Sequence, residues 1–313
     1  MAVLLIGGLV FMRTRSESPR TLDGSSGYIS SVAFSPDGRM LADGGSDGAL
    51  KLWDTAHGQW LRTLSSYQNT DFVAFSPDGR MLASSGGDQG HGLVLWDASS
   101  GSQLRVLAGD ADFVGPPAFS PDGRLLVADA SNRGSNDGGL RLWDAVSGNE
   151  LRRFPGYAEP VFSPDGKLIA AWNKNKSISL LDAESGNEVR TFDGHEGIQS
   201  PVVIFSSDGR LLASTNGNAT VTVWDEASGK ELRNISDSAT VRGIAFSPDG
   251  RLLASGSEDH TVKLWDVASG DKVRTLSGHS DSVNCVAFSP DGHLLASGGA
   301  DGKVIFWPIS QSR

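Results

Sequence analysis

The sequence contains few of the residues that form disulfide, redox or nucleic-acid sites. Cys285 is the one cysteine, so no disulfide can form within the chain, which fits a reducing compartment. The 27 lysines and arginines are outnumbered by 37 aspartates and glutamates, and the formal net charge is −10. Because binding to a phosphate backbone requires a basic protein face, we expect no nucleic-acid partner.

Long apolar runs are also missing, apart from one short stretch near the N-terminus. Residues 2–12 (AVLLIGGLVFM) are apolar and precede Arg13. A spanning helix needs about 20 apolar residues, and a signal peptide needs a leading positive charge and a small-residue cleavage site. Two interpretations stay open, a loosely packed tail or the remnant of a membrane anchor. We therefore expect a cytoplasmic protein, with membrane association as the alternative.

The usual patterns of metal and phosphate ligands are absent as well. The six histidines occur without a His-x-x-x-His pair, and no glycine-rich loop ends in Lys-Ser or Lys-Thr. The acidic loop 129–139 lacks the regularly spaced carboxylates of a calcium loop. The sequence therefore predicts no metal, no cofactor and no phosphate site.

The chain is rich in glycine, and many glycines belong to a repeated motif. FSPDG occurs seven times, once as FSSDG, at intervals of 41 to 44 residues, which indicates an internal structural repeat. The copies are residues 34–38, 75–79, 119–123, 162–166, 205–209, 246–250 and 288–292. An LWD-like segment follows each copy, at residues 51–54, 94–97, 141–144, 179–182, 222–225, 263–266 and 305–308. An arginine-containing apolar segment follows the first six, as LRTL does at residues 61–64.

The segments within each repeat predict four short antiparallel strands, because their apolar residues alternate with period two. Ser-Pro-Asp-Gly is typical of the turn between two of them. The proline presets φ, the aspartate accepts hydrogen bonds from nearby N–H groups, and the glycine adopts positive φ. We therefore interpret the seven aspartates as turn residues, one in each repeat, and not as a catalytic set.

The repeats resemble the WD-repeat β-propeller family over residues 18–309, most closely in residues 252–270 and 278–307. The resemblance implies an all-β fold, a seven-bladed β-propeller of four-stranded antiparallel blades, with residues 1–17 and 310–313 as tails. The near-identity of several repeats resembles bacterial members of the family.

The two ends of the repeat array predict how the ring closes. The last repeat lacks its fourth strand, whereas residues 19–24 (PRTLDG) form an unpaired copy of that strand. We expect residues 18–24 to be the outer strand of blade seven, which removes the open sheet edges of a linear array.

The resemblance also implies a buried hydrogen-bond network of His, Ser, Asp and Trp in each complete blade. A Ser–His–Asp set resembles a nucleophilic triad, but this one is repeated and partly lost, which favours a stabilising role and no catalytic residue. Its members are His279, Ser297, Asp301 and Trp307 in blade seven, Ser255, Asp259 and Trp265 with Asp237 at the histidine position in blade six, and His195, Ser214 and Trp224 with Asn218 at the aspartate position in blade five.

Candidate binding residues are those that depart from the repeat. Aromatic residues lie in or beside the connections between blades, which bind partners in the family and otherwise fill gaps between blades: Tyr28, Tyr67, Tyr157, Phe72 and Phe113. Other loops contribute Glu258 and, in the insertion at 130–139, Arg133.

Blade four departs furthest, with Ala171, Asn175 and Leu181 at the network positions. Its loop carries Trp172 with Lys174 and Lys176. Trp172 is either an exposed anchor beside two cations or a replacement for the space that Leu181 leaves.

These features predict a monomeric, non-catalytic scaffold that binds a protein or peptide on the loop-rich face. Two alternatives remain: a ligand-binding or sensor domain of a membrane-tethered signalling protein, and an enzyme with its site over the central channel. The second would need polar residues on the inner strands, and we expect those strands to be apolar because they read VAF, PAF, PVF and IAF.

Overall fold

The computed structural model describes residues 18–66, 70–85, 92–108, 110–132, 138–193, 201–217 and 219–309. All regular elements in these ranges are β-strands, and they form seven antiparallel sheets that follow one another as the blades of a propeller. The all-β, seven-bladed architecture predicted from the repeats is confirmed.

Four strands form each blade, and the first strand of each lies at the central channel. Blade one contains β2 (Ile29–Phe34), β3 (Met40–Gly45), β4 (Ala49–Asp54) and β5 (Gln59–Ser66). Blade two contains β6 (Phe72–Phe75), β7 (Met81–Ser85), β8 (Leu93–Asp97) and β9 (Gln103–Leu107). In blade three the first strand is interrupted, which gives β10 (Phe113–Val114), β11 (Ala118–Phe119), β12 (Leu125–Ser131), β13 (Gly139–Asp144) and β14 (Glu150–Pro155).

The remaining blades follow the same order. Blade four contains β15 (Tyr157–Phe162), β16 (Leu168–Asn173), β17 (Ile178–Asp182) and β18 (Glu188–Phe192). Blade five contains β19 (Val203–Phe205), β20 (Leu211–Thr215), β21 (Thr220–Asp225) and β22 (Glu231–Ser236). Blade six contains β23 (Val241–Phe246), β24 (Leu252–Ser257), β25 (Thr261–Asp266) and β26 (Lys272–Ser277). Blade seven contains β27 (Val283–Phe288), β28 (Leu294–Gly299), β29 (Lys303–Pro308) and β1 (Arg20–Asp23).

The closure of the ring by the N-terminal strand is also confirmed. β1 pairs antiparallel with β29, so that Arg20 lies opposite Phe306 and Leu22 lies opposite Val304. Leu22 is buried in the layer between blades seven and one. Because one blade is built from both ends of the array, the ring has no open end.

The Ser-Pro-Asp-Gly segments are tight turns between the first and second strands. In the first copy, the N–H of Gly38 donates to the carbonyl of Ser35 at 2.8 Å, and Gly38 has φ of +69°. The Asp37 carboxylate accepts hydrogen bonds from the Ser35 hydroxyl at 2.6 Å and from the Arg39 N–H at 3.0 Å. The bond from Ser35, followed by the bond from the Arg39 N–H, lowers the pKa of Asp37. These aspartates therefore stabilise turns, as predicted.

The hydrophobic core is divided into seven layers, one between each pair of neighbouring blades. Between blades one and two, for example, Leu50 and Leu52 pack against Val73, Leu82 and Trp96. Full burial of such a side chain contributes about 1.5–3 kcal/mol. Each blade is therefore held by both of its neighbours.

An arginine on the outer strand links each of six blades to the next. Its guanidinium donates to a backbone carbonyl in the turn that follows the third strand of the neighbouring blade. Arg62 donates to Ser99 O at 2.6 Å, Arg105 to Val146 O at 3.2 Å, and Arg20 to Ala56 O at 2.7 Å. The same contact joins Arg152 to Ser185 O, Arg190 to Glu226 O and Arg233 to Ala268 O.

Candidate protein interface at the mouth of the central channel

The mouth of the central channel is a cavity of about 1110 Å³. Residues of all seven blades line it, from the first strands, the loops that precede them and some of the loops that follow the second strands. Three of the predicted binding residues meet here, Tyr28, Phe72 and Glu258. Tyr28 is 46% exposed, which is a large accessible fraction for an aromatic residue in a concave site.

One half of the mouth is polar. Ser30, Asp71, Arg242 and Asn284 stand four residues before the phenylalanine of the turn motif in blades one, two, six and seven. The Ser30 hydroxyl donates to the Asp71 carboxylate at 3.3 Å, and Asn284 Nδ2 donates to the Ile29 carbonyl of the next blade at 2.9 Å. The expectation of purely apolar inner strands is therefore wrong. That expectation rested on the phenylalanine and the two residues before it. It did not consider the residue four places before the phenylalanine, which contributes to the rim.

The other half of the mouth is apolar and rich in proline. Pro116, Pro117, Pro160 and Val202 line it in blades three to five. The inner strands of two of these blades are short: the first strand of blade three is interrupted, and β19 has three residues. Proline lacks an N–H group, so these edges cannot extend the sheet toward the channel.

One position on the second strand lies against the inner strand of the next blade. Glycine occupies it in blade seven, where a Cβ on Gly298 would lie 2.4 Å from Ile29 Cγ2. Gly44 and Gly256 permit the same close approach in blades one and six. In blades two to five the position holds larger residues: Ser85, Asp129, Trp172 and Thr215.

Asp129 places a carboxylate directly behind the apolar half of the mouth. A Cβ on Gly115 would lie 2.0 Å from Asp129 Oδ1, and the carboxylate accepts a hydrogen bond from the N–H of Glu159. Glu159 lines the mouth and has φ of +52°, a left-handed conformation that is rare for a residue with a Cβ. Burial raises the pKa of Asp129 to about 6.

Arg242, which lines the mouth, is paired with a neighbouring carboxylate. Arg242 Nε and Nη2 donate to Glu258 Oε1 at 3.1 and 2.7 Å. Both side chains are partly exposed, and ion pairs of this kind contribute about 0–1 kcal/mol to stability. The pair therefore shapes the charge of the rim more than it stabilises the fold.

The structure places the other predicted binding residues elsewhere. Phe113 is exposed on β10 and does not line the mouth, and Lys174 is exposed on the loop of blade four. Tyr157 is half-buried against the layer between blades three and four, and its hydroxyl lies 3.1 Å from Glu188 Oε2. Tyr67 and Arg133 lie outside the described residues.

Trp172 is not an exposed anchor, so that interpretation is wrong. Its side chain is 7% exposed and packs with Phe192, Val203 and Trp224 between blades four and five. The alternative, that it replaces the missing bulk at Leu181, is also wrong. Leu181 belongs to the layer on the opposite face of the blade, between blades three and four.

The network of blade seven connects four buried side chains. His279 Nδ1 lies 3.0 Å from Asp301, and His279 Nε2 lies 2.7 Å from the Ser297 hydroxyl, which accepts Trp307 Nε1–H at 2.8 Å. Because a carboxylate only accepts, Nδ1 carries the proton and Nε2 accepts from Ser297. Burial lowers the pKa of His279, so the ring is neutral near pH 7. The Ser297 hydroxyl lies inside the blade, where no substrate reaches it.

Blade six uses a buried lysine in place of the histidine. Ser255 donates to Asp237 and accepts Trp265 Nε1–H, each at 2.9 Å. Lys263 Nζ lies 2.5 Å from both Asp237 and Asp259, and its side chain is 5% exposed. In blade five, Trp224 donates to Ser214 at 3.1 Å, whereas His195 and Asn218 lie outside the described residues.

Sequence reasoning missed this lysine, although a signal for it exists. In blades one, three and six the histidine position holds Ser25, Asp110 and Asp237, respectively. In the same three blades the residue two places before the tryptophan is Lys51, Arg141 and Lys263. In blade seven, which has the histidine, that position holds Ile305. In these three blades the cation pairs with a carboxylate, Asp47, Asp110 or Asp237, and so supplies its counter-charge.

Groups with other chemistry are few in the described ranges. Burial raises the pKa of Cys285 to about 12, so its thiol stays protonated at neutral pH. No cluster of three or more His, Cys, Asp or Glu side chains in those ranges could hold a metal ion. A membrane-spanning helix is likewise not found among the residues that the structure describes, and residues 2–12 lie outside them.

Comparison with known proteins identifies the repeats. The family model "WD domain, G-beta repeat" matches residues 16–54, 58–97, 101–144, 186–225, 229–266 and 270–308. The longest unmatched segment, 145–185, contains the first three strands of blade four, where Ala171 and Leu181 replace the network serine and tryptophan.

Several curated proteins are similar to parts of the chain. "Small ribosomal subunit protein RACK1z" of Arabidopsis thaliana is 35% identical over 105 residues, or 31% of each chain. "Small ribosomal subunit protein RACK1" of Caenorhabditis elegans is 29% identical over 115 residues, or 34% of each chain. The matches span about a third of the length of these relatives. Since they come from a plant and a nematode, the expectation of bacterial-type repeats has no support.

Proposed function

The chain belongs to the WD40-repeat family, and from that premise we propose that it is a non-catalytic scaffold that binds a protein or peptide on its loop-rich face. The observation that carries this proposal is the channel mouth. All seven blades contribute to it, and it presents an exposed tyrosine beside charged and apolar surface. Aromatic residues are enriched among the residues that dominate binding energy at protein interfaces.

The relatives support an interaction role. Their names describe components of the small ribosomal subunit, which is an assembly of many macromolecules. A scaffold in such a setting acts in the cytoplasm, and we propose that location for this chain. We also propose a monomer, because ring closure leaves no unpaired terminal blade to recruit a second copy.

A non-catalytic role is supported by the positions of the reactive groups. His279 and Ser297 form part of a buried network that also holds a tryptophan, and the Cys285 thiol stays protonated. A catalytic site needs a nucleophile or base within reach of a substrate. The polar groups at the mouth instead hold one another or the backbone.

Affinity purification with matched variants tests the binding face. The full chain captures its partner from the cells that produce it, and we expect Tyr28→Ala combined with Arg242→Ala to abolish that capture. Both side chains are exposed, so the melting temperature should change by only a few degrees. The control is Asp78→Ala, in a turn on the opposite face, which should leave capture intact. If only the control variant lost capture, the binding surface would lie on the opposite face, and the proposed binding face would be wrong.

A further inference from the structure

Asp43 places a carboxyl group in the seam that the N-terminal strand closes. It stands where the other blades have serine or alanine, and it is 1% exposed. Its Oδ2 accepts the Trp53 N–H, and Trp53 belongs with Leu22 of β1 to the layer between blades seven and one. The tryptophan at this seam is therefore held by a group that can ionise, whereas a serine holds it in blades two, five, six and seven.

The titratable and charged groups that face Asp43 come from β4, from the turn before it and from β27 of blade seven. They are Lys51, Asp47 and Cys285, respectively. β2 contains no titratable residue, and of the two on β1, Arg20 donates to the turn after β4 and Asp23 is exposed. Lys51 is therefore the cation that Asp43 meets when it ionises.

Asp43 loses its proton close to neutral pH. Burial raises the pKa of Asp43 to about 7, and the Trp53 N–H and Lys51 oppose that rise. The Cys285 thiol, whose pKa burial raises to about 12, stays protonated there. Asp43 Oδ1 is buried and has no hydrogen-bond partner among the described residues. A charge at this place is costly unless a cation comes closer to it.

Lys51 also holds the connection between β1 and β2. Its ammonium donates to the carbonyl of Gly24, the residue after β1, and lies 3.4 Å from Asp47 Oδ2. The N–H of Ser26 ties the same connection to Asp47 at 3.0 Å. The connection then reaches Tyr28, which lines the mouth. Lys51 therefore links the network of blade one to the end of the closing strand.

We propose that Asp43 is a proton-operated latch for the closing strand. With its proton in place, Asp43 is neutral and the Lys51 ammonium stays on the Gly24 carbonyl. When the proton passes to solvent, the ammonium moves to the new carboxylate and releases Gly24, which loosens β1 and the connection after it. The seam between blades seven and one is therefore closed most firmly in mildly acid conditions.

The direction and size of the effect follow from the proton affinities of the two states. When the seam opens, Asp43 meets water, where a carboxyl group of this type has a pKa of about 3.9. In the closed seam its pKa is about 7. The closed form binds the proton more tightly, so opening becomes easier as the pH rises through 7. Between pH 6 and pH 8 the opening equilibrium should increase by about tenfold.

Hydrogen exchange followed by mass spectrometry tests the latch. Peptides of the full chain that contain residues 20–28 are followed at pH 6 and pH 8, with the rates corrected for intrinsic exchange at each pH. We expect this segment to open about tenfold more often at pH 8, while peptides of β26, the outer strand of blade six, show no such change. Asp43→Ser, which introduces the residue of four other blades, should remove the pH dependence.

Two further variants identify the groups involved. Lys51→Met keeps the stem but removes the ammonium, so residues 20–28 should exchange faster already at pH 6, because Gly24 loses its donor. Asp129→Asn changes another buried aspartate, in blade three, and should leave the pH dependence of this segment intact.

The contrary outcomes are equally specific. Equal exchange of residues 20–28 at both pH values in the wild type overturns the latch, and so does a pH dependence that survives in Asp43→Ser. Unchanged exchange at pH 6 in Lys51→Met overturns the role of the ammonium. None of these measurements involves a binding partner, so their failure leaves the proposed function untouched.

Discussion

The buried polar groups of blades six and seven occupy the same few positions, but their chemistry differs between the two blades. Blade seven joins a neutral histidine to a carboxylate, whereas blade six joins a lysine to two carboxylates. Both arrangements hold the serine that accepts the tryptophan N–H. The tryptophan contact is therefore the constant part of the network, and the residues that hold the serine can vary.

Exchange of one network for the other gives a direct prediction. Lys263→Ile should destabilise the protein by about 3–5 kcal/mol, because it leaves Asp237 and Asp259 buried without a counter-charge. Adding Asp237→His recreates the blade-seven set of His, Ser, Asp and Ile, and should restore most of the lost stability. Urea unfolding of the single and double variants measures both effects. A double variant no more stable than the single one would contradict this account.

The buried aspartate of blade one gives a prediction about pH. Asp43 stands where other blades have the network serine and accepts the Trp53 N–H, and burial raises its pKa to about 7. Lys51 and Asp47 are the charged groups that act on it. Because its pKa is about 3.9 in an unfolded chain, the folded state binds the proton more tightly. This residue therefore favours folding below pH 4, and that contribution is lost as the pH rises to 7.

Asp43→Asn removes this titration and provides the comparison. As the pH rises from 4.5 to 8, the melting temperature of the wild type should fall relative to that of the variant. A constant difference over that range would show that Asp43 does not titrate there.

At the scale of elements, the number and order of strands could be predicted from the repeat period alone. The closure of the ring followed from a single unpaired strand sequence at residues 19–24. In blade four, the face of the sheet on which each side chain lies could not be predicted. Trp172 occupies a position that holds glycine in three other blades, and a substitution of that size can point either toward a neighbour or toward solvent.

Only part of the candidate site could be predicted from the sequence, for a related reason. Tyr28, Phe72 and Glu258 were identifiable as departures from the repeat, and all three line the mouth. Glu159 was missed because no sequence motif marks its left-handed backbone, and Asp129 because it lies behind the wall. Neither irregularity follows from a local motif, since each depends on contact between blades.

The closing strand gives a prediction with an internal control. Leu22→Asp places a charge in the layer between blades seven and one, and should lower the melting temperature strongly by displacing β1. Thr21→Asp changes the neighbouring residue, which is exposed, and should have little effect. Thermal unfolding of the two variants makes the comparison. Equal effects would mean that β1 contributes little to the stability of the ring.

At the scale of the whole molecule, charge governs the rate at which a partner arrives. The chain has a net charge of −10, and Asp281 lies exposed in the described lining of the mouth. The association rate of a basic peptide should therefore fall steeply as ionic strength rises, whereas its dissociation rate should change less. Stopped-flow fluorescence at two salt concentrations measures both rates. Asp281→Asn should flatten the salt dependence, and an unchanged dependence in that variant would place the steering charges elsewhere.

The pairing of β1 with β29 also orders events during synthesis. β1 precedes the other described strands along the chain, and its partner β29 follows them, so β1 must wait unpaired until translation has passed β29. Domains fold as they emerge, and contacts between distant parts of a chain form slowly. Until then the nascent chain displays the open edge of β1 and the unclosed flank of blade one. A chaperone that covers strand edges would therefore be needed longest by β1.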